Sequence, residues 1–554
     1  MSPQLTNSPT VLPLRVAASS NSNSLFQWRG RNDTTVWRDA LGLDGLLSQS
    51  VQQGEQLFTG HGVNLGPRLN WRISDDESLT WQSFLQKANW NSQTSYRNKT
   101  LSGTPSLEDD GAFQGGWQSV RSNLQWVNHF SGVERIQLKA GVAASKGSFD
   151  GQTVRSGLPQ RRTVADTSDV SLTQSGNYNR LLNDEHSLTA GWDLEWRTRD
   201  EKRDVTERGV PLVAEFEGQP FSARIARRAY FVQDEWEISK TWSTYLGVRS
   251  EQIATQSEGL TDPVSSTSNV VTPMLHLNYK FDPAGRDLLR ASVTRSYKAP
   301  ELSSLLARPA ISSLFADTTK PNTELSPDRL GNPALLPELA TGFDMALEKY
   351  LPAGGLISVG VFYRRVNNLI RSVTALQTVD WSGVPRWVSK PVNFSRATTR
   401  GLELEVKGRA AELLPGLVDA KLPLSLRGSL NVYRSAVDAL PEPNNRLDGQ
   451  QPWSGNLGFD YRFTSVPMNI GASLAFTPGY TTQQSLSQTL EQSRSRGLDM
   501  FTQWVFSPKI SARFSANNLA PLDTESQTLT SGGYSSKTLR SGRSYFNLGV
   551  EVKL

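Results

Sequence analysis

The chain has 554 residues and no cysteine, and its 58 Lys and Arg against 53 Asp and Glu give a net charge of +5. The lack of cysteine excludes disulfide scaffolds and cysteine-ligated zinc or iron–sulfur sites. So small a charge gives no reason to expect nucleic acid as a partner. No apolar run of about 18 residues occurs, so no transmembrane helix is predicted. The N-terminal residues also lack the pattern of a secretory signal.

Apolar and polar residues alternate in many segments with the period of a β-strand. Successive side chains of a strand point to opposite faces, so each segment has one apolar and one polar face. We expect one set of side chains to face apolar surroundings: Leu188, Trp192, Leu194, Ile136, Leu138, Leu424 and Leu426. We expect their neighbours of the other parity to face a polar interior: Asp193, Glu195, Arg135 and Lys139.

Short and long connections alternate strictly between these segments. Long polar breaks fall near residues 92–114, 146–166, 200–220, 255–267, 298–339, 375–385, 438–450, 480–493 and 520–542. The connections between them are short turns, with one longer member at 411–421. A soluble sandwich has no reason to separate its loops in this way. The pattern predicts that residues 1–554 form one all-β domain, a transmembrane antiparallel β-barrel of 20–22 strands with short periplasmic turns and long extracellular loops.

Aromatic residues support this prediction, because many of them lie close to a short turn. Trp71, Trp81, Trp126, Trp236 and Trp242 are examples, and amphipathic rings collect at the membrane–water boundary. The alternative interpretation is ordinary packing of aromatic rings in a β core. Asp234 is a misfit, because it shares the parity of apolar neighbours.

Counting strand directions makes a prediction about the N-terminus. We place about 21 strands, beginning with residues 11–18 and 24–38 and ending with residues 543–554. The last strand follows a long connection and therefore runs toward the periplasm. Counting strand directions back through every connection gives residues 11–18 the same direction. A barrel of this class normally has an even strand number, so we expect one upward strand to be missing before residue 11.

Five segments resemble TonB-dependent outer-membrane receptors. These are RASVTRSYKAPEL at 290–302, NPALLPE at 332–338, TRGLELE at 399–405, SANNL at 515–519 and YFVQDEWEIS at 230–239. Each motif alone is weak, but they occur in order over most of residues 60–554. The resemblance implies a 22-stranded barrel filled by an N-terminal plug, which imports scarce ligands with energy from the inner-membrane TonB–ExbB–ExbD complex. It also implies a monomer in the outer-membrane lipid.

The chain departs from this family at its N-terminus. No segment resembles the plug or the TonB box that the energy coupler binds, so we expect a barrel whose signal, plug and first strand are missing. The leading function is uptake of a small-molecule ligand, most simply a ferric siderophore. Haem, cobalamin and sugars stay open as ligands, and a plug-less passive pore or a surface-binding barrel stays open as an alternative function.

Candidate ligand-binding residues lie in the longest connection, residues 298–339, which we expect to act as a mobile lid. They are Arg308, Phe315, Asp317, Lys320, Asp328 and Arg329. A disordered or variable loop is the alternative interpretation. The four histidines are far apart and show no metal-ligand spacing, and no nucleophile elbow or nucleotide-binding loop occurs. We therefore expect no enzyme activity, no metal site and no cofactor.

Overall fold

The computed structural model describes residues 15–20, 24–42, 45–102, 109–155, 160–259, 263–283 and 285–552. No described helix is long and apolar enough to cross a membrane. Two helices of one turn are α1 (Leu302–Leu305) and α2 (Ala410–Leu413). The strands are β1 (Arg15–Ser20), β2 (Ser24–Gly42), β3 (Gly45–Leu65), β4 (Pro67–Arg72), β5 (Glu77–Ser102), β6 (Asp109–Ser131), β7 (Glu134–Arg155), β8 (Arg161–Leu181), β9 (His186–Glu207), β10 (Val210–Pro211), β11 (Pro220–Trp236), β12 (Trp242–Glu258), β13 (Val264–Lys280), β14 (Leu288–Lys298), β15 (Asp328–Arg329), β16 (Glu338–Tyr350), β17 (Leu356–Val379), β18 (Ser382–Arg409), β19 (Leu424–Val437), β20 (Trp453–Arg462), β21 (Met468–Thr477), β22 (Tyr480–Gln483), β23 (Gln488–Gln492), β24 (Ser495–Ser507), β25 (Ile510–Asn517), β26 (Thr524–Thr530), β27 (Tyr534–Arg540) and β28 (Tyr545–Val552).

These strands form one meandering antiparallel wall. β1 and β2 make the first wall strand, because β1 pairs with β4 and β2 pairs with β3 in nearly the same register. Each later wall strand pairs with the next one along the chain, through β5 to β9, β11 to β14, β16 to β21, β24, β25 and β28. The described part of the chain therefore supplies 20 wall strands, within the predicted range of 20–22.

The predicted separation of turns and loops is confirmed. The connections after β4, β6, β8, β11, β13 and β16 are turns at one end of the wall, and the long connections after β14, β19 and β25 lie at the other. Connections alternate between the two ends because every neighbouring pair of wall strands is antiparallel. The 410–423 connection, which contains α2, lies at the turn end, as the sequence indicated.

The predicted direction of the first strand is wrong. Residues 15–20 do not form a separate downward strand; they continue upward into β2, since β1 lies beside β4 next to the first tight turn. Residues 15–18 cover only the lower part of a crossing, so the alternation predicted there does not mark a complete strand. The described wall then has an even strand number, so the odd count from which we placed a missing upward strand does not apply to it. Residues 11–14 lie outside the described residues.

Several predicted loops are strand extensions instead. β5 continues to Ser102, β7 to Arg155 and β9 to Glu207, through segments that were assigned to polar breaks. A hairpin that projects beyond the bilayer keeps its ladder hydrogen bonds while both of its faces are wetted. Polar composition therefore marks where a strand leaves the apolar layer, not where its pairing stops.

On β9 the two faces are as predicted. Leu188, at 36% exposure, belongs to the outward face, while Asp193 and Glu195 point to the lumen. There Arg249 contacts Asp193 at 2.5 Å, and Arg227 contacts Glu195 at 3.1 Å. These pairs join β9, β11 and β12 across the polar interior.

Near the loop end the last connection approaches the first wall strand. β26 and β27 form a hairpin in it, and β27 pairs with β2 from Thr34 opposite Arg540 to Ala40 opposite Tyr534. Below that ladder, Arg543 forms an ion pair with Asp33. Within the described residues, β28 pairs with β25 and has no ladder to β1 or β2.

Candidate functional site

The longest connection is folded against the inside of the wall. We call residues 299–337 the cap loop. Leu302 and Leu305 of α1, together with Leu335, are almost fully buried against Phe221 and Ile253 of the wall. Burying apolar side chains in this way stabilises a loop by about 1.5–3 kcal/mol for each large residue. The cap loop and the inside of the wall therefore share one hydrophobic core.

The first polar anchor of the cap loop is a buried ion pair. Asp328, in β15, and Arg386, in β18, are both completely buried. The Arg386 Nη2 lies 2.9 Å from Asp328 Oδ1, and its Nε lies 2.9 Å from Oδ2. Such a two-point contact is the strongest geometry available to an arginine and a carboxylate.

The remaining donors and acceptors around this pair are also used. Arg386 donates to the carbonyl oxygens of Phe315 at 2.7 Å and Lys320 at 2.6 Å. The Asp328 carboxylate also accepts from Trp381 Nε1 at 3.0 Å. One guanidinium therefore gathers three parts of the cap loop onto the β17–β18 hairpin.

The second anchor joins the cap loop to the connection between β10 and β11. Arg308 Nη2 lies 2.9 Å from Glu217 Oε2, and both side chains are buried. The guanidinium also lies over the rings of Phe216 and Phe221, at 5.6 and 5.8 Å. Burial raises the pKa of Glu217 although Arg308 opposes the shift, and burial lowers the pKa of Arg308.

The third anchor reaches the hairpin formed by β22 and β23. Ser487 Oγ donates to Glu324 Oε1 at 2.5 Å, and Gln488 Nε2 donates to the Glu324 carbonyl oxygen at 3.3 Å. Glu324 is buried. Three separate connections of the loop end are therefore held together through the cap loop.

The six predicted ligand residues fall into two groups. Arg308 and Asp328 are buried and take part in the anchors just described. Asp317, Lys320 and Arg329 are exposed, and Phe315 is half-buried. Hydrogen bonds from Thr319 and Lys320 lower the pKa of Asp317, so its carboxyl group is ionised at neutral pH. The exposed residues are available to a ligand, whereas Arg308 and Asp328 hold the loop in place.

Beside the third anchor lies a cluster of buried polar groups that the sequence analysis missed. Arg371, on β17, is 5% exposed. Its Nη2 contacts Asp448 and donates to the Gln483 carbonyl oxygen at 2.9 Å. Its Nε and Nη1, although buried, have no hydrogen-bond partner in the described part of the chain. Gln483, next to Thr482, also donates its N–H to the Asn444 carbonyl oxygen at 2.6 Å, which joins the connection that carries Arg446 to this place. We call Arg371, Arg446 and Thr482 the donor cluster.

The other members of the donor cluster share this property. Thr482 is fully buried, and its hydroxyl has no partner among the described residues; the same holds for Nη1 of Arg446. Nearby, burial and the charge of Asp448 raise the pKa of Tyr480, so its phenol stays protonated and polar. A buried donor without a partner costs about 1–3 kcal/mol, so this arrangement favours an anion as its complement.

One sequence signal points to Arg371. The regular alternation of β17 breaks at a bulge near Asn368, which has a positive φ of 57°. A bulge changes which face the following side chains take. It thereby brings Arg371 to the loops, and bulges of this kind are often found beside functional sites.

Comparison with known protein families identifies the class. A family model described as TonB dependent receptor-like, beta-barrel, matches residues 14–519. The chain belongs to this family. It is an outer-membrane β-barrel of a family of transport receptors. No curated protein sequence matches the chain significantly.

Solved structures with the same fold include several iron-related receptors. FpvA of P. aeruginosa, in a complex with a ferric pyoverdine, matches with a TM-score of 0.57 and 11% identity, over 93% of this chain and 72% of its own. The ferric citrate transporter FecA matches with a TM-score of 0.55 and 11% identity, over 93% and 78%. The ferric-catecholate receptor Fiu of E. coli K12 matches with a TM-score of 0.55 and 9% identity, over 93% and 81%. At these identities the likeness is one of fold.

Proposed function

We propose that this barrel binds an anionic ferric chelate, of the siderophore type, at its loop end and imports it with energy from the TonB–ExbB–ExbD complex. Family membership supplies the transport class and the outer-membrane location. The choice of ligand rests on one observation, the donor cluster, in which buried cationic and hydroxyl donors lack acceptors among the residues that the structure describes.

An anionic chelate matches these donors chemically. Carboxylate, catecholate and hydroxamate groups around ferric iron present oxygen acceptors, and charge-assisted hydrogen bonds to arginine are about twice as strong as neutral ones. A neutral sugar would leave the two free nitrogens of Arg371 without a charged acceptor. The printed names of FecA and Fiu describe ferric citrate and ferric-catecholate ligands for those proteins, which is consistent with this choice.

The cap loop contributes a second set of contacts in this proposal. Lys320 and Arg329 are exposed cations on it, and Phe315 offers a partly exposed ring. The third anchor links this loop to the hairpin that carries Thr482. A ligand held by the donor cluster would therefore touch the cap loop as well, and its binding would change the environment of both.

Binding measurements test the ligand class. The protein in detergent should show quenching of tryptophan fluorescence with ferric citrate or with ferric catecholate or hydroxamate siderophores. Arg371→Gln should weaken the best of these by roughly tenfold or more, since the variant loses a buried charged contact. Arg396→Gln is the matched control, because Arg396 is an exposed arginine on the neighbouring strand whose one ion pair within the described part of the chain is with Asp438. Equal affinities in wild type and Arg371→Gln would reject the donor cluster as the site.

Growth measurements test the energy source. In a strain that lacks other receptors, growth on the bound ferric chelate should require both this protein and functional TonB. Growth that persists without TonB, with uptake of unrelated solutes, would support a passive pore instead. Binding without any growth would favour the surface-binding alternative.

A further inference from the structure

The outward face of the wall between β16 and β20 carries a row of apolar side chains with arginines above it. Tyr363, Leu402 and Val432 are 44%, 43% and 42% exposed on this face. Each of these strands also carries an exposed arginine, placed two positions nearer the loop end of the wall. These arginines are Arg365, Arg400 and Arg434. We call these three the arginine triad.

The registers bring the triad together. Arg400 lies directly opposite Arg434, and Tyr363 lies directly opposite Arg400. Arg365 is opposite Thr398, which makes it a diagonal neighbour of Arg400. Directly opposed Cβ atoms in an antiparallel pair are about 4.5–5.5 Å apart and diagonal ones about 7–8 Å apart, and like charges at such positions repel.

No acidic side chain at the outward positions of these strands compensates this repulsion. The outward positions of β16 to β20 are fully described by the structure, and none of them is Asp or Glu. The acidic residues of these strands, such as Asp344, Glu403 and Asp460, have the inward parity. None of the three guanidinium groups forms an ion pair or a hydrogen bond to any described residue. Three neighbouring cations without a counter-charge imply an anion supplied from outside the chain.

The position of the triad identifies the source of that anion. Arg434 lies ten residues beyond Leu424 on β19, or about 33 Å along a strand at about 3.3 Å per residue. With the usual tilt of 35–45°, this is about 25 Å along the membrane normal, the height of the apolar band of such barrels. Arg434 therefore lies at the outer edge of the band, where the lipid head groups of the outer leaflet begin.

We propose that the arginine triad is a binding site for the phosphate of an anionic lipid in the outer leaflet. The guanidinium groups match phosphate oxygens in pairs of hydrogen bonds. Tyr363, Leu402 and Val432, directly below, receive the first part of the acyl chains. A free phosphate ion would leave those apolar side chains without a partner, so the site is for a lipid-borne phosphate.

The test uses the purified protein in detergent, with bound lipid counted by native mass spectrometry. The probes are bisphosphorylated lipid A, phosphatidylglycerol, zwitterionic phosphatidylcholine and inorganic phosphate. We expect lipid A to bind most tightly and inorganic phosphate to neither bind nor compete. Replacing all three arginines by glutamine should weaken lipid A binding on the order of 100-fold, or roughly fivefold for each charge lost near a head group.

Matched single variants separate a built site from general attraction. Arg400→Gln removes the central member of the triad, whereas Arg228→Gln removes an outward arginine on β11 that stands beside Tyr230 without a second arginine opposite. Arg400→Gln should lose clearly more lipid than Arg228→Gln, and Arg400→Lys should recover only part of the loss. Equal losses, unchanged binding in the triple variant, or competition by inorganic phosphate would each overturn the proposal. Heat-modifiable migration on gels shows that every variant is folded.

Discussion

Arg386 and Asp328 form a bidentate ion pair in which neither side chain has any solvent exposure. The pair joins the cap loop to the β17–β18 hairpin across 58 residues of sequence. Desolvating two charges is costly, so the pair stabilises the loop only while its geometry is complete. Removal of one partner leaves an uncompensated buried charge, which is far more damaging than loss of a surface ion pair.

Asp328→Asn should therefore release the cap loop. Breaking a buried pair costs about 3–5 kcal/mol, which is enough to open residues 309–337 while the wall stays folded. Hydrogen exchange followed by mass spectrometry should show faster exchange in that segment and unchanged exchange in β6 to β8. Asp380→Asn is the control, because Asp380 is an exposed acid in the turn of the same hairpin. Protection of residues 309–337 that matches wild type would show that the hydrophobic contacts of α1 suffice.

The Arg308–Glu217 anchor should become sensitive to pH when its cation is removed. In Arg308→Gln, burial still raises the pKa of Glu217, and its main opposing charge is gone. A carboxyl group whose pKa is higher in the folded state stabilises that state at low pH, and this stability is lost as pH rises. The loss begins at the ordinary glutamate pKa of about 4.3 and continues upward through the folded value.

Hydrogen exchange at several pH values, corrected for the intrinsic rate, checks this. Residues 208–219 in Arg308→Gln should be nearly as protected as wild type at pH 4 and less protected at pH 8. Glu217→Gln in the same background removes the titrating group, so the difference between the two pH values should disappear. A pH dependence that survives in the double variant would assign it to another group.

The wall of this protein could be predicted because each strand obeys a local rule. The alternation around Leu188 and Asp193 records only which face is apolar, and a bilayer imposes the same rule on every strand. The misfit of Asp234 has a local explanation that the sequence alone did not give. Asp234 accepts a contact from His186 Nδ1 at 2.7 Å, and the His186 ring stacks on Trp236 next to the turn end of the wall.

The cap loop could not be predicted in the same way. Its length and bounds are visible in the sequence, but its anchors join residues that are far apart. Arg308 binds Glu217, which lies 91 residues away in the sequence. No pattern within the loop shows that Arg308 is buried and Arg329 exposed. The donor cluster was missed for the same reason, since Arg371 acquires its surroundings from two other connections.

The two faces of one strand should respond differently to the same substitution. Val293 is half-exposed on the outward face of β14, and Ser292 faces the lumen opposite Asp344. An arginine on the lipid side near the middle of the membrane costs about 2–4 kcal/mol, whereas Ser292→Arg gains an acidic neighbour. We expect Val293→Arg to reduce the yield of heat-modifiable barrel strongly and Ser292→Arg to leave it close to wild type. Similar yields for both would contradict the assigned faces.

The backbone conformation of Asn518 explains why an asparagine fits this position of the SANNL segment. It has a positive φ of 54°, which asparagine and glycine adopt more easily than other residues. Its backbone N–H donates to Asp499 Oδ1 at 2.8 Å, and its side-chain Nδ2 donates to the Arg543 carbonyl oxygen at 2.9 Å. This one residue thus turns the chain out of β25 and ties the start of the last long connection to its end.

Two substitutions separate these contributions. Asn518→Gly keeps the backbone conformation and loses only the side-chain hydrogen bond, which is worth about 1 kcal/mol. Asn518→Ala loses that bond and also places a Cβ in the left-handed region, at a further cost of about 1–2 kcal/mol. Urea unfolding in detergent, followed by tryptophan fluorescence, should rank the variants as wild type, then Asn518→Gly, then Asn518→Ala. If glycine and alanine destabilise the barrel equally, the hydrogen bond to Arg543 alone governs this corner, and the positive φ contributes nothing measurable.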